Sequence, residues 1–255
     1  MNFSGQHVVV TGASRGLGFG IARAFAESGA DVTVIAEDSA IEQAAGQIGS
    51  GVPGRVSALR LDISDRASVM KAFGAGAPID TLVNNAGLER LTPVAATDDA
   101  TAAIFERILD VNVKGSYWVT QAALPKIKDG GRIIFTSSIW GKSAEAEFSA
   151  YCASKHAVIG LVRTLAKELG RRKITVNAVC PGWVRTESSM RSLKTMSEHC
   201  HRPEADLLAD IVGGQVLDGL MTPADIAGPY LFLASPLAAN ITGQAINIDR
   251  GEVMI

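Results

Sequence analysis

The chain has 255 residues, with 24 Lys and Arg against 26 Asp and Glu, so its formal net charge is −2 at pH 7. Hydrophobic residues make up 47% of the sequence, a share that predicts a globular domain and excludes a disordered or fibrous chain. The near-neutral balance lacks the basic excess that binding a nucleic-acid backbone requires. Because the apolar runs are short and the amino end has no secretory signal pattern, we expect a cytoplasmic protein with no membrane partner.

The cysteines predict neither disulfides nor a metal site. Cys152, Cys180 and Cys200 are odd in number and show no CxxC spacing, so we expect reduced, structural thiols. The segment His199-Cys200-His201 lacks a third ligand at a fixed spacing, so we predict no bound metal.

Short β-branched apolar runs alternate with amphipathic stretches along the whole chain. The predicted strands are His7–Thr11, Val32–Ala36, Val56–Leu61, Thr81–Asn84, Arg132–Thr136, Thr175–Val179 and Ala245–Ile248. Strands separated by helices are typical of a parallel sheet, so we predict an α/β, Rossmann-type, doubly wound fold with seven parallel strands and helices on both faces. No linker divides residues 1–255, which we expect to form a single domain. A polar helical excursion at about 186–219 lies where insertions usually cover a site.

A glycine-rich turn follows the first strand and opens a helix. Its sequence is Gly12-Ala13-Ser14-Arg15-Gly16-Leu17-Gly18. Glycines let the backbone turn tightly and approach a ligand, and the free N–H groups at a helix start attract a pyrophosphate. A tight loop alone would give the same glycines, but the flanking strand and helix favour a dinucleotide site. The absence of a Gly-Lys-Ser/Thr ending disfavours a P-loop hydrolase.

Two acids follow the second strand, where a dinucleotide-binding protein contacts the adenosine ribose. Glu37 and Asp38 suit a free 2′-hydroxyl and repel a 2′-phosphate, whereas Arg15 would suit the phosphate. Two acids against one base favour NAD over NADP.

Tyr151 and Lys155 are spaced i, i+4, so a helix would place both on one face. The ordinary pKa of a phenol is about 10, and a neighbouring cation such as Lys155 favours the phenolate. Ser138 follows the fifth strand, at the edge where open α/β sheets bind ligands, and its hydroxyl could hold a substrate oxygen. The ordinary alternatives are an exposed Tyr–Lys pair without a function and, for Ser138, a serine in a polar turn.

Taken together, these residues resemble the short-chain dehydrogenase/reductase family, over essentially the whole chain. Thr11-Gly12-x-x-x-Gly16-x-Gly18, Asn84-Asn85-Ala86-Gly87 and Pro181-Gly182 match its motifs in order and spacing. The resemblance implies the catalytic set Asn112, Ser138, Tyr151 and Lys155. It implies the cofactor-binding set Gly12, Ser14, Arg15, Gly16, Leu17, Gly18, Glu37, Asp62, Ile63, Asn84, Ala86, Gly87, Tyr151, Lys155, Pro181, Gly182, Val184 and Thr186.

The resemblance also implies a mechanism. Tyr151 would move a proton while hydride passes between nicotinamide and a carbinol or carbonyl carbon. Lys155 would stabilise the phenolate and bind the nicotinamide ribose, and Ser138 would orient the substrate oxygen. Asn112 would hold a relay water, its alternative being a backbone bridge in a helix over Phe105–Lys114. Ala36 stands where many NAD-dependent relatives have Asp, and Glu37 could substitute for it.

For the substrate, we predict a small polar secondary alcohol or ketone such as a sugar, polyol or hydroxy acid. The residues expected to contact it are Ser138, Trp140, Tyr151 and Trp183. A cationic lid could form from Arg191, Lys194, His199, His201 and Arg202, but the acids nearby favour an ordinary solvated surface.

Two other functions are open. One is an NADPH-dependent 3-oxoacyl-[carrier protein] reductase, which Arg15 supports and Glu37 opposes. The other is a non-catalytic nicotinamide-binding regulatory protein, which the complete catalytic set disfavours. The resemblance further implies a homotetramer or homodimer, formed in part through the helix that carries Tyr151 and the helix before it.

Overall fold

The computed structural model describes residues 1–74 and 76–255, and within them seven parallel strands form one sheet. The strands are β1 (His7–Thr11), β2 (Asp31–Ala36), β3 (Val56–Arg60), β4 (Ile79–Asn84), β5 (Ile127–Thr136), β6 (Thr175–Pro181) and β7 (Ala245–Ile248). Their order across the sheet is β3-β2-β1-β4-β5-β6-β7, which confirms the predicted Rossmann-type fold. Because the order reverses between β1 and β4, a crevice opens there at the carboxyl ends of the strands.

Four strands are longer than their sequence patterns predict, β2 by one residue and β4, β5 and β6 by two or more. β5 begins at Ile127, where it pairs with Ile79 before the register shifts. The residues between Ile127 and Gly131 are exposed, and the continuous apolar run that indicates a strand begins only after Arg132. β6 continues through Pro181, which pairs with Ile248 of β7. Proline is tolerated at such a strand end, where a ladder hydrogen bond is not required.

Helices cover both faces of the sheet. They are α1 (Gly16–Glu27), α2 (Ala40–Gly49), α3 (Arg66–Gly74), α4 (Asp99–Leu109), α5 (Ser116–Ala123), α6 (Ser149–Leu169), α7 (Glu187–Cys200), α8 (Glu204–Gly213) and α9 (Pro223–Ala234). Val8 and Val10 pack with Phe25 of α1 in one core, whereas Val9 packs with Val158 of α6 in the other. This alternation follows from the two-residue repeat of a strand whose two faces are both buried.

A π-turn over Asp110–Gly115 joins α4 to α5 and replaces the regular helix that we predict over Phe105–Lys114. Gly115 lies against Ile63 so closely that a Cβ on it would stand 2.7 Å from Ile63 Cγ1. The extra residue of the π-turn therefore accommodates a close packing contact, and it carries Asn112 into the interior.

The excursion between β6 and β7 contains α7 and α8. Thr186 begins α7 with a capping box to Ser189, and His201 ends it in the left-handed region at φ 53°. Leu193 of α7 and Leu207 of α8 pack with Trp140 and Trp183 in a third apolar cluster. Across the described residues, no helix has both the length and the apolar character for crossing a bilayer.

Candidate active site

A cavity of about 410 Å³ opens at the carboxyl edge of the sheet. Its lining includes Gly12, Ser14, Arg15, Gly16, Leu17, Gly18, Glu37, Asp62, Ile63, Ala86, Gly87, Ser138, Trp140, Tyr151, Lys155, Pro181, Gly182, Trp183, Val184 and Thr186. The structure thus brings together almost every residue that the sequence assigns to cofactor and substrate. Asn84 and Asn112 are the residues of the predicted sets that stand outside this lining.

The glycine-rich turn fits a dinucleotide pyrophosphate. A Cβ on Gly12, whose φ is +66°, would stand 2.6 Å from Cα of Ala86, and a Cβ on Gly18 would collide with the carbonyl oxygen of Gly12. The Arg15 side chain makes no capping hydrogen bond at the start of α1. The first N–H groups of α1 are therefore available at the cavity, as an anionic ligand requires.

Thr11 and Asn85 fix this turn to the next strands of the sheet. The Thr11 hydroxyl accepts from the N–H groups of Asn85 and Ala86, each at 3.0 Å. The Asn85 amide donates to the carbonyl oxygens of Thr11 at 3.1 Å and Gly12 at 3.2 Å, and its oxygen accepts from the Thr136 hydroxyl at 3.1 Å. Asn85 belongs to the motif that follows the fourth strand, but it was not among the predicted site residues.

Asn84, which we predicted to bind the cofactor, directs its side chain elsewhere. Its amide donates to the Thr120 hydroxyl of α5 at 2.9 Å, in the interior of the domain. Because consecutive strand residues point to opposite faces, Asn85 faces the glycine turn only if Asn84 faces away from it. Asn84 therefore stabilises the core, and Asn85 positions the glycine turn at the cavity.

At the end of β2, carboxylates and guanidinium groups form ion pairs. Arg107 of α4 contacts Glu37 at 2.7 Å and Asp62 at 3.0 Å. Arg15 contacts Asp38 at 3.0 Å, and the Ser14 hydroxyl donates to the same carboxylate at 3.0 Å. Arg107 was not predicted, because it reaches the cavity from a helix distant in sequence.

Tyr151 and Lys155 lie on one face of α6, opposite the end of β5. The Lys155 ammonium donates to the carbonyl oxygen of Thr136 at 2.8 Å, and it lies 5.4 Å from the centre of the Tyr151 ring. The Ser137 hydroxyl donates to the carbonyl oxygen of Lys155 at 3.0 Å. These two hydrogen bonds hold α6 against β5, which places Ser138 beside the Tyr151 phenol.

Burial controls the protonation of this pair. Removal from water raises the pKa of the Tyr151 phenol, the negative charge of Glu89 raises it further, and the Ser138 hydroxyl acts in the opposite direction. The net shift of the phenol pKa is therefore upward, with burial as its largest cause. The stabilisation of the phenolate by Lys155 stays a prediction. Burial also lowers the pKa of Lys155 to about 8. Near neutral pH the phenol keeps its proton and Lys155 stays largely cationic.

Asn112 bridges backbone groups from within the π-turn. Its Oδ1 accepts from the N–H of Leu88 at 2.7 Å, and its Nδ2 donates to the carbonyl oxygen of Leu88 at 3.0 Å and to the Ser154 hydroxyl at 2.9 Å. Oδ1 and the Lys155 ammonium both border Gly87, where a Cβ would stand 3.5 Å and 3.4 Å from them. The backbone bridge is thus present, and the relay water stays a prediction.

Aromatic side chains form the far wall of the cavity. Trp140 meets Tyr151 edge to face with ring centres 6.0 Å apart, and it meets Trp183 in the same way at 6.3 Å. The four residues expected to contact substrate therefore stand together. Glu89 and Arg90 also line the cavity.

Of the five residues that could form a cationic lid, Arg191 is the one that lines the cavity. Lys194 pairs with Glu198 at 3.9 Å, His199 with Glu147 at 2.9 Å, and Arg202 with Asp210 at 2.7 Å, whereas His201 is exposed at the end of α7. Most of the lid is thus an ordinary solvated surface. No group of three potential metal ligands occurs in the part of the chain that the structure describes.

Comparison with known proteins gives consistent matches over the full length. The profile of a family described as enoyl-(acyl carrier protein) reductase matches residues 12–252. Galactitol 2-dehydrogenase (L-tagatose-forming) of Cereibacter sphaeroides is 37% identical, with 97% of this chain and 94% of that protein covered. D-beta-hydroxybutyrate dehydrogenase of Cupriavidus necator is 33% identical, with 98% of each chain covered. A solved short-chain dehydrogenase from Burkholderia cenocepacia in complex with NADP has a TM-score of 0.85 and 31% identity, with 99% of each chain covered.

The burial of Lys155 predicts a pH dependence of stability. Its pKa is about 8 in the folded chain against an ordinary 10.5. Between these values the unfolded chain binds a proton that the folded chain lacks, so stability rises with pH. The free energy of unfolding of the wild type, relative to Lys155→Met, should increase by about 1.4 kcal/mol per pH unit in that window. Urea unfolding at several pH values measures it.

Lys167→Met is the matched control, because Lys167 lies exposed on the same helix. Its stability difference from the wild type should stay flat across the same pH range. A flat difference for Lys155→Met as well would contradict the lowered pKa.

Proposed function

Because the chain belongs to the short-chain dehydrogenase/reductase family and is an NAD(P)-dependent oxidoreductase, we propose that it acts on a small polar secondary alcohol or ketone. A sugar, polyol or hydroxy acid fits this description. The observation that carries the proposal is a single cavity that joins the glycine turn to Tyr151, Lys155 and Ser138. Residues 1–255 would work as one NAD(P)-binding domain, with 186–219 as the substrate lid.

The chain's own residues supply proton transfer and positioning. A bound nicotinamide supplies a hydride acceptor or donor, and the glycine turn, Asp62 and Thr186 would hold that cofactor. In reduction, the Tyr151 Oη gives its proton to the substrate oxygen, and in oxidation it takes the proton back. The Ser138 hydroxyl orients that oxygen. The Lys155 charge stabilises the phenolate formed when Tyr151 gives up its proton.

Replacing the proposed proton donor tests this mechanism. Tyr151→Phe removes only the phenolic oxygen, so kcat should fall by about 10²-fold to 10⁴-fold, the usual contribution of general acid–base catalysis. The affinity for NADH should be retained, since the glycine turn is untouched. Initial rates with a panel of polyols and hydroxy acids, together with calorimetry of NADH binding, measure both effects.

Tyr117→Phe is the matched control, because Tyr117 packs against Trp118 on α5, outside the cavity lining. Its kcat should equal that of the wild type. An unchanged rate in Tyr151→Phe would contradict Tyr151 as the proton donor. A wild type that binds NADH but shows no turnover would favour the non-catalytic regulatory protein.

We propose that the cofactor is NAD rather than NADP. Glu37 and Asp38 follow β2, where the adenosine ribose of a dinucleotide is held, and a carboxylate there repels a 2′-phosphate. The guanidinium groups of Arg15 and Arg107 already contact carboxylates at 3.0 Å and 2.7 Å. Less of their charge is therefore available to a 2′-phosphate. The same pairing of Arg15 weakens the case for a carrier-protein reductase that uses NADPH.

Substitution of Glu37 tests the cofactor proposal. NADH should bind more tightly than NADPH to the wild type, and Glu37→Ser should narrow the gap because it removes a charge that repels the 2′-phosphate. Calorimetric titration of both dinucleotides into both proteins measures the two affinities. Glu42→Ser on α2 is the control, since Glu42 is exposed and lies outside the cavity lining. Tighter NADPH binding to the wild type would make the 3-oxoacyl reductase the leading function.

We also propose a homotetramer or homodimer in the cytoplasm. Cys152, Cys180 and Cys200 are free thiols, as that reducing compartment favours. Among the described residues β7 pairs with β6 alone, and the apolar side chains of Val216 and Met254 are exposed beside it. An open edge and an apolar surface of this kind are usually covered.

Sedimentation equilibrium at several concentrations tests the assembly. The mass should be two or four times that of the 26.7 kDa chain, because a second copy would cover the open edge. A single 26.7 kDa species at all concentrations would contradict the proposal.

A further inference from the structure

Three charged side chains at the aromatic end of the cavity take no part in the proposed mechanism. Glu89 and Arg90 follow β4 through the loop that begins at Asn85, and Arg191 lies in α7. All three line the cavity. They therefore meet there from two separate segments of the chain.

The guanidinium groups of Arg90 and Arg191 form no ion pair with the described residues. No carboxylate in that part of the chain lies within 4.0 Å of either group. Arg90 donates to the carbonyl oxygen of Glu89 at 2.7 Å, and Arg191 donates to the Ser188 hydroxyl at 2.9 Å. Each group has further N–H donors beyond these contacts. At the other end of the cavity, by contrast, Arg15 and Arg107 are paired with carboxylates.

Glu89 sets the charge that a ligand would meet. Burial raises the pKa of its carboxyl, while Arg191, Arg90 and Lys155 act in the opposite direction, and the Ser192 hydroxyl lies beside it. Burial and the charge of Arg191 lower the pKa of Arg90, so the two guanidinium groups repel each other across this space. The three side chains together remain positive whether Glu89 is ionised or not, and an anion between the arginines would relieve the repulsion.

Building on the proposed function, we propose that Arg90 and Arg191 bind a carboxylate of the substrate, which makes the substrate a small hydroxy acid and the product the matching keto acid. A planar guanidinium suits a carboxylate, since it offers two parallel N–H donors. A singly charged carboxylate also fits the single excess positive charge beside an ionised Glu89, whereas a doubly charged phosphate would bring a surplus negative charge next to that acid.

The two arginines come from parts of the site that are otherwise separate. Arg90 belongs to the loop that follows β4, and Arg191 belongs to α7, whose neighbouring residues Ser192 and Leu193 are buried. A carboxylate held by both would connect α7 to the body of the domain across the mouth of the cavity. Binding the acid group would then also hold α7 over the reacting alcohol.

Matched pairs of hydroxy compounds test the inference. Gluconate is compared with glucitol, and 3-hydroxybutyrate with 1,3-butanediol, since each pair differs mainly in one carboxylate. Binding is measured by calorimetry to the Tyr151→Phe variant saturated with NAD⁺, in which turnover is suppressed. In this background Arg90→Gln and Arg191→Gln should each raise the Kd of the acids by about 10-fold to 100-fold, the usual value of a charged hydrogen bond. The Kd of the neutral partners should stay within about twofold.

Lys194→Gln is the control, because Lys194 lies exposed on α7, outside the cavity lining. It should bind every compound as its parent does, and NAD⁺ affinity should be equal in all variants if they fold normally. Acids that bind no more tightly than neutral partners, or arginine substitutions that weaken both equally, would overturn the inference. Tighter binding of glucitol 6-phosphate than of gluconate would overturn the choice of carboxylate.

Initial rates of the wild type separate this inference from the proposed function. Oxidation of the neutral alcohols, with no advantage for the acids, would overturn the carboxylate site and leave the proposed function standing. A lack of oxidation of any hydroxylated compound with either cofactor, despite normal dinucleotide binding, would overturn the proposed function instead. The calorimetric comparison of acids with neutral partners would still decide the carboxylate site in that case.

Discussion

The hydrogen bonds of Thr11 and Asn85 are the constraint on which the site depends. The Thr11 hydroxyl accepts hydrogen bonds from the two backbone N–H groups that follow β4. The Asn85 amide donates to the carbonyl oxygen of Thr11 at the end of β1, and its oxygen accepts from the Thr136 hydroxyl of β5. The carboxyl ends of the neighbouring strands β1, β4 and β5 are thereby held together, at the point where the strand order reverses. Each such bond contributes about 1 kcal/mol net, but a buried donor left without an acceptor costs more. The contact also brings Gly12 against Ala86, which only a residue without a Cβ permits.

The cavity has two ends with different electrostatics. At the end of β2 the basic side chains are matched by Glu37, Asp38 and Asp62, so this region presents ordered polar groups with little excess charge. At the aromatic end the arginines outnumber the one acid. Between the two ends stand Tyr151, which is half-buried, and Lys155, which is buried. Electrostatic effects are stronger in such a place than at the surface, so small changes in nearby charge have large effects on proton transfer there.

Sequence alone predicted the features that repeat locally. The strands, the glycine turn and the Tyr151–Lys155 pair depend on periodicity or on fixed spacing, and the structure contains all of them. Features that depend on contacts between distant segments were missed. Arg107 reaches Glu37 across 70 residues, and the choice between Asn84 and Asn85 depends on which face of β4 each residue occupies. The net rise of the Tyr151 pKa was not predicted, because depth of burial has no signal in a four-residue spacing.

The π-turn at Asp110–Gly115 has a consequence for protein engineering. An ordinary α-helix turns by about 100° per residue, so one extra residue within a turn shifts the phase of everything after it. Positions in α5 that face the sheet, such as Val119 and Ala123, must therefore be counted from Ser116 rather than from the start of α4. A heptad pattern drawn straight through both helices would assign surface residues to the core. Helix grafts or stapled-peptide mimics of this region need to keep that phase change.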